Sequence, residues 1–245
     1  MPDLAGAYEE TRASMIKVVR DMDAEQLATT VPACPDWTVK DLIAHVTSIA
    51  SAVADGNVPA DVNLSSFWDE DLAVGREAFV DKELDRRRHK GLEEIVEEWD
   101  RTAPVLEEMM RGERPWPDDA PAFPDWMVMT DLGVHHHDLR GAVGLPGQRD
   151  SLATGLSLRS YVEAMRFRVA HEKLPTLRLV AGERSWVIGD GEPGATVTAD
   201  PFELARAASG RRSWEQVRAF DWQGDPEPFR PLFYPYGPRT EALVE

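Results

Sequence analysis

Between Val39 and Val53 the apolar residues Val39, Leu42, Ile43, Val46, Ile49, Ala50 and Val53 recur at steps of three and four. Only a helix turns residues at that spacing toward one side. The same period returns at 7–22 (Tyr8, Met15, Val18, Val19, Met22) and from Leu92 to Met110 (Leu92, Ile95, Val96, Trp99, Val105, Leu106, Met109). It returns again from about Trp126 to Val143. This repetition constrains the fold more than any other feature, because each stripe has to be covered. Four helices in the first 145 or so residues cover one another as an antiparallel four-helix bundle. The punctuation agrees. Pro-Ala-Cys-Pro at 32–35 breaks the chain, and Thr38 offers an N-cap with Asp41 in the capping-box position. Gly56 closes the second helix, Pro104 predicts a kink in the third, and Gly144 and Pro146 stop the fourth. Residues 57–70 read as a polar loop, 70–80 as a short helix, and Pro115–Pro124 as a long connection.

After Gly147 the texture changes. A helix over 152–172 is followed by two strands, Leu177–Ala181 and Ser185–Ile188, joined by a turn containing Gly182, and by a third strand at Ala195–Thr198. Helices are predicted at 201–208 and 213–219, and the Pro- and aromatic-rich tail from Pro226 to Pro238 reads as packed and non-helical. The expected class is α+β: a bundle over residues 1–148 and a small α+β domain over 149–245, with the boundary near 147–151.

Charge narrows the partners. The chain holds 27 Lys and Arg against 44 Asp and Glu, a net charge of −17. A phosphate backbone or an anionic membrane surface rewards clustered cations, so neither suits this chain. Residues 1–150 carry 15 basic and 31 acidic side chains, residues 151–245 carry 12 and 13, so the acidity belongs to the helical half. No run reaches the roughly 18 apolar residues of a membrane span, and the start, Met-Pro-Asp-Leu-Ala-Gly, lacks a basic region followed by an apolar one. A cytoplasmic protein, monomer or homodimer, is expected. Cys34 is the only cysteine. It excludes an internal disulfide and a multi-cysteine zinc site, and reads as a buried structural residue rather than a nucleophile.

Six histidines remain: His45, His89, His135, His136, His137 and His171. Consecutive helical residues point about 100° apart, so His135, His136 and His137 do not share one ion. His135 falls in the stripe of Val128, Leu132, Leu139, Ala142 and Val143, while His136 and His137 point toward its edge and away from it. Asp131 precedes His135 by four residues, which presents a carboxylate and an imidazole together. Asp138 offers a third ligand or an acceptor that orients an imidazole. His45 borders the stripe of the second helix. His45, Asp131 and His135 are therefore candidate ligands of one metal with an open position, although an interior histidine is more often a hydrogen-bonded core residue. Periodicity alone leaves both roles open. His89, in the Arg-Arg-Arg-His-Lys run at 86–90, and His171 read as surface, and the basic run as a maker of local ion pairs. No phosphate-binding glycine loop, nucleophile elbow or dinucleotide fingerprint occurs.

The segment Val31-Pro-Ala-Cys-Pro-Asp-Trp-Thr-Val-Lys-Asp-Leu-Ile-Ala-His45 resembles the signature of the mycothiol-dependent maleylpyruvate isomerase family, a branch of the DinB-like metal-binding bundles. Val134-His135-His-His-Asp138-Leu-Arg140 resembles its last bundle helix. Ala195-Thr-Val-Thr-Ala-Asp-Pro-Phe-Glu-Leu204, with Gly210-Arg211 and Gly224-Asp225, is similar to its sterol-carrier-type second domain. The resemblance implies that His45 and His135 hold zinc, or another divalent metal such as nickel. The family's glutamate ligand falls on Asp131, one methylene shorter, which implies a closer helix or a bridging water.

Mycothiol is the implied co-substrate. Its thiolate would add to a conjugated cis double bond, the bond would rotate, and elimination would release the trans product; a transferase would stop after addition or displacement. The partners implied are mycothiol and a small electrophile, with Arg211 and Arg230 as candidates for its carboxylates. The competing readings are a metal hydrolase using zinc-bound hydroxide, with Asp138 as base, and a metal-stabilised small-ligand binding protein without turnover.

Overall fold

The computed structural model describes residues 2–57, 70–118, 120, 123–233 and 239–245. Positions 58–69 of the polar loop expected at 57–70, part of the Pro115–Pro124 connection and positions 234–238 of the tail lie outside the described residues. The chain divides into two compact units, Met1–Gly147 together with Glu245, and Gln148–Val244.

In the first unit the helices are α1 (Leu4–Val19), α2 (Ala24–Leu27), α3 (Val39–Ala54), α4 (Glu70–Asp85), α5 (Leu92–Met110) and α6 (Pro124–Ala142). α1 begins three residues before its stripe because the Asp3 carboxylate accepts the Gly6 N–H. α1 and α3 each pack against both α5 and α6. The four close around Tyr8, Met15, Leu42, Ile43, Ile95, Trp99, Leu106, Met129 and Leu139. Each large apolar side chain buried there contributes about 1.5–3 kcal/mol. Trp99→Ala is the single change that would open the largest gap, costing about 3–5 kcal/mol. α4, expected as a short helix over 70–80, runs to Asp85 and packs against α3. α5 continues through Pro104.

The break at 32–35 is a structure of its own. β1 (Thr30–Val31) and β2 (Cys34–Thr38) pair antiparallel, and Thr38 is both the last residue of β2 and the N-cap of α3. Its hydroxyl accepts the Asp41 N–H at 3.1 Å while the Asp41 carboxylate accepts the Thr38 N–H at 2.9 Å, the capping box read from the sequence. With no loop between strand and helix, Cys34 and Trp37 are fixed relative to α3. At the other end of the site, Pro124 opens α6, where its missing N–H costs nothing.

The acidic face of α5 is not wholly solvated. Glu98 is buried, and it accepts hydrogen bonds from Ser51, Arg87 and Lys90. The basic run at 86–90 forms the local ion pairs expected of it, also engaging Glu83 and Asp85.

The second unit holds α7 (Leu152–Glu172), β3 (Leu177–Ala181), β4 (Arg184–Ile188), β5 (Ala195–Ala199), α8 (Pro201–Ala208), α9 (Trp214–Arg218) and β6 (Asp221–Gln223). The sheet order is β4-β3-β5-β6, with β3 and β5 parallel and the outer pairs antiparallel. Gly182, at φ 59°, makes the β3–β4 turn. Leu177, Leu179, Ile188, Val197, Leu204 and Val217 form the core beneath α7 and α8. The tail folds as a 3₁₀ helix over Glu227–Phe233 that buries Phe229, Leu232 and Phe233. Among the described residues no helix is long and apolar enough to cross a membrane.

Candidate metal centre

Packing of α3 on α6 brings His45 against Asp131 and His135. Both histidines are buried, at 4% and 6% exposure. The His45 Nε2 lies 3.4 Å from the Asp131 carboxylate, and the His135 Nε2 lies 3.5 Å from its Oδ1. These separations are long for hydrogen bonds. They match instead the edges of a coordination tetrahedron, since two ligand atoms each about 2.0–2.1 Å from one ion sit about 3.3–3.4 Å apart. One atom from each of the three residues lies within 4.8 Å of the others. The donor set of two imidazoles and one carboxylate fits a divalent ion with a free position. The Asp131 side chain, 32% exposed, is the solvent-facing corner. Despite its missing methylene, this aspartate faces both rings directly.

His135 is oriented from behind. Its Nδ1 lies 2.9 Å from Oδ2 of Asp138, which is 1% exposed. With its proton on Nδ1, beside this carboxylate, the ring offers the Nε2 lone pair toward Asp131. Burial pushes the His135 pKa down, against the pull of Asp131 and Asp138, so the ring is held in the neutral form that binds metals. The Cys34 thiol donates to the same Oδ2 at 3.6 Å. Cys34 is half-buried rather than buried. With His135 and Asp138 it makes a second metal-compatible group, but one in which the Asp138 oxygen already serves the imidazole and the thiol.

The Trp37 ring packs 4.7 Å from the His45 ring and 5.5 Å from the His135 ring, and the two imidazoles meet edge to face at 4.9 Å. Trp37 walls the site on one side, a role that periodicity misses because the residue lies in a strand before the helix.

The remaining histidines separate. His136 and His137 do not lie at an edge or outside it: both are buried. His136 Nε2 meets the Ser14 hydroxyl of α1 at 3.0 Å, and burial, helped by Arg140, lowers its pKa to about 4. Their burial has a simple cause. α6 is covered by α1 as well as by α3, so more than one side of it is interior. His89 and His171 are exposed, as expected. In the second unit Arg211 donates to the Ser209 carbonyl, and the Arg230 guanidinium lies 6.0 Å from the Trp214 ring.

Comparison with known proteins gives a consistent picture. The family model described as the mycothiol maleylpyruvate isomerase N-terminal domain matches residues 8–140. A crystal structure of the mycothiol-dependent maleylpyruvate isomerase is similar over 86% of this chain and 90% of its own, at 16% identity and a TM-score of 0.57. A crystal structure of a histidine-to-alanine mutant of the mycothiol-dependent maleylpyruvate isomerase is similar over 91% and 93%, at 15% identity and a TM-score of 0.59. No curated protein sequence matches.

Proposed function

We propose a function from one premise: the chain belongs to the mycothiol maleylpyruvate isomerase family, whose N-terminal domain it matches over residues 8–140. The reading is a metal-dependent enzyme that uses mycothiol as the nucleophile toward a small electrophile, in a maleylpyruvate isomerase-like cis–trans isomerisation. The observation that carries it is the triangle of His45 Nε2, Asp131 carboxylate and His135 Nε2, spaced as ligands of one ion. The metal is Zn²⁺ or a comparable divalent ion such as Ni²⁺. When bound, it supplies Lewis-acid chemistry, lowering the pKa of a coordinated thiol so that the sulfur is nucleophilic at neutral pH.

The chain's own residues do the rest. His45 and His135 donate lone pairs from buried rings, and Asp131 contributes the negative charge that offsets the ion. Asp138 places its carboxylate beside the His135 Nδ1. Trp37 keeps water from one side of the rings. The exposed edge of Asp131 leaves the approach for thiol and electrophile.

The test is an assay of maleylpyruvate isomerisation by the metal-loaded protein, with mycothiol, with N-acetylcysteine and without thiol. Turnover that requires mycothiol supports the reading. Turnover unchanged without any thiol would contradict it, as would its absence in a metal-loaded protein with mycothiol present.

A further inference from the structure

The His135 ring has a second nitrogen that the three proposed ligands leave unused. Its Nε2 lies near Asp131, while its Nδ1 is buried beside Asp138 and, although 2.9 Å from Oδ2, makes no hydrogen bond of proper direction among the described residues. A buried nitrogen left in that state is uncommon and costly. Around it stands a donor set of a different kind. The Cys34 Sγ lies 3.6 Å from the same Oδ2, and one donor atom from each of Cys34, His135 and Asp138 lies within 4.8 Å of the others. Two elements supply them. α6 presents His135 and Asp138 three residues apart, and β2 presents Cys34, with its partner strand β1 packed on α6.

The spacing is that of ligands. A sulfur about 2.3 Å and an oxygen about 2.0–2.2 Å from one tetrahedral ion sit about 3.5–3.7 Å apart, which is the Cys34–Asp138 separation. The Nδ1–Oδ2 pair is tighter than the corresponding edge of about 3.3–3.4 Å, so an entering ion has to part it by about 0.5 Å. Soft sulfur changes which ion is preferred, since thiolates select thiophilic metals. A thiolate and a carboxylate also bring two negative charges, enough to neutralise a divalent ion, whereas the first site has Asp131 alone. Cys34, half-buried, is the corner open to solvent. A neutral imidazole has a single lone pair. It serves Asp131 and His45 from Nε2, or Cys34 and Asp138 from Nδ1, and not both.

We propose that Cys34, the His135 Nδ1 and Asp138 form a second metal site, selective for thiophilic divalent ions, that competes with His45 and Asp131 for the His135 ring. Binding releases the thiol proton to solvent, and the imidazole proton moves from Nδ1 to Nε2. The ion gains a thiolate, a nitrogen and a carboxylate oxygen, and the first site loses one of its three ligands. No thiol co-substrate is involved.

The experiment adds cadmium to the full-length, zinc-loaded protein and follows the ultraviolet sulfur-to-cadmium charge-transfer band. Cys34 is the only cysteine, so the band reports this site alone. The parent develops the band up to about one equivalent while its zinc leaves, read by elemental analysis after desalting. His135→Ala and Asp138→Asn each need at least about tenfold more cadmium, having lost one of three ligands, even though both hold the competing zinc more weakly. Either variant carries the test if the other does not fold. His45→Ala, which removes a ligand of the competing site only, forms the band at no more cadmium than the parent. Cys34→Ser keeps its zinc at the cadmium level that strips the parent, which separates displacement through this site from direct exchange at the first. No band, a band formed as readily in His135→Ala and Asp138→Asn, or zinc retained while the parent's band saturates overturns the proposal. In a parent that holds no zinc, a band that depends on His135 and Asp138 would sustain the second site and overturn the first ligand set instead.

Discussion

Asp131 answers to two partners at once, since one carboxylate faces two buried imidazoles at 3.4 and 3.5 Å. Without a cation that arrangement has one acceptor group between two rings; with one it becomes a ligand set. Asp138 stands behind it and is the more informative residue to change. Asp138→Asn keeps the shape but removes the charge 2.9 Å from the His135 Nδ1, and divalent-metal affinity should fall about 10- to 100-fold. Competition with a chromogenic chelator measures this, and a parental affinity in the variant would show that the 2.9 Å contact does not tune the ligand. Asp131 and His135 were legible as a pair because they lie four residues apart on one helix, and His45 as a residue bordering the apolar stripe of another. Trp37 was legible only as a motif letter. Its role depends on which rings lie opposite, and spacing along one element carries no such information.

At the scale of elements, the β2–α3 junction and the α4–α5 corner hold the bundle's geometry. Thr38→Ala removes the side-chain half of the capping box, and about 1 kcal/mol of stability should go with it in urea unfolding. At the corner, burial alone would raise the Glu98 pKa, but hydrogen bonds from Arg87, Lys90 and Ser51 outweigh it and bring the pKa from 4.5 to about 2. A carboxylate whose pKa is depressed on folding stabilises the protein above its unfolded value and loses that contribution as pH falls through the folded one. Stability should therefore drop by about 2–3 kcal/mol between pH 4.5 and 2 on account of this residue. Glu98→Gln, measured by urea midpoints across that range, should flatten the drop while lowering stability at pH 7. A variant as acid-sensitive as the parent would assign the loss elsewhere. The long helices were readable from periodicity and caps. α2, the β1–β2 pair and β6 were not, being four residues or fewer, or straddling prolines. The burial of Glu98 was missed because an acidic residue on an acidic helix looks solvated until Arg87, from before the turn, is seen to reach it.

For the whole molecule, the net charge of −17 comes almost entirely from residues 1–150, the part that contains His45, Asp131 and His135. Nucleic acid and anionic membranes remain unsuited to such a surface, while a divalent cation gains from it. Because surface charges act through solvent, raising NaCl from about 20 to 200 mM shortens their reach and should weaken metal binding several-fold. Affinity independent of salt would confine the attraction to the three ligands. The central claim is the ligand set itself, and elemental analysis tests it most directly. The protein purified without chelator should hold about one equivalent of zinc or nickel, and His45→Ala and His135→Ala should each lose most of it while remaining folded by circular dichroism. A parent free of metal after exposure to zinc, or variants that keep parental metal content, would contradict the account.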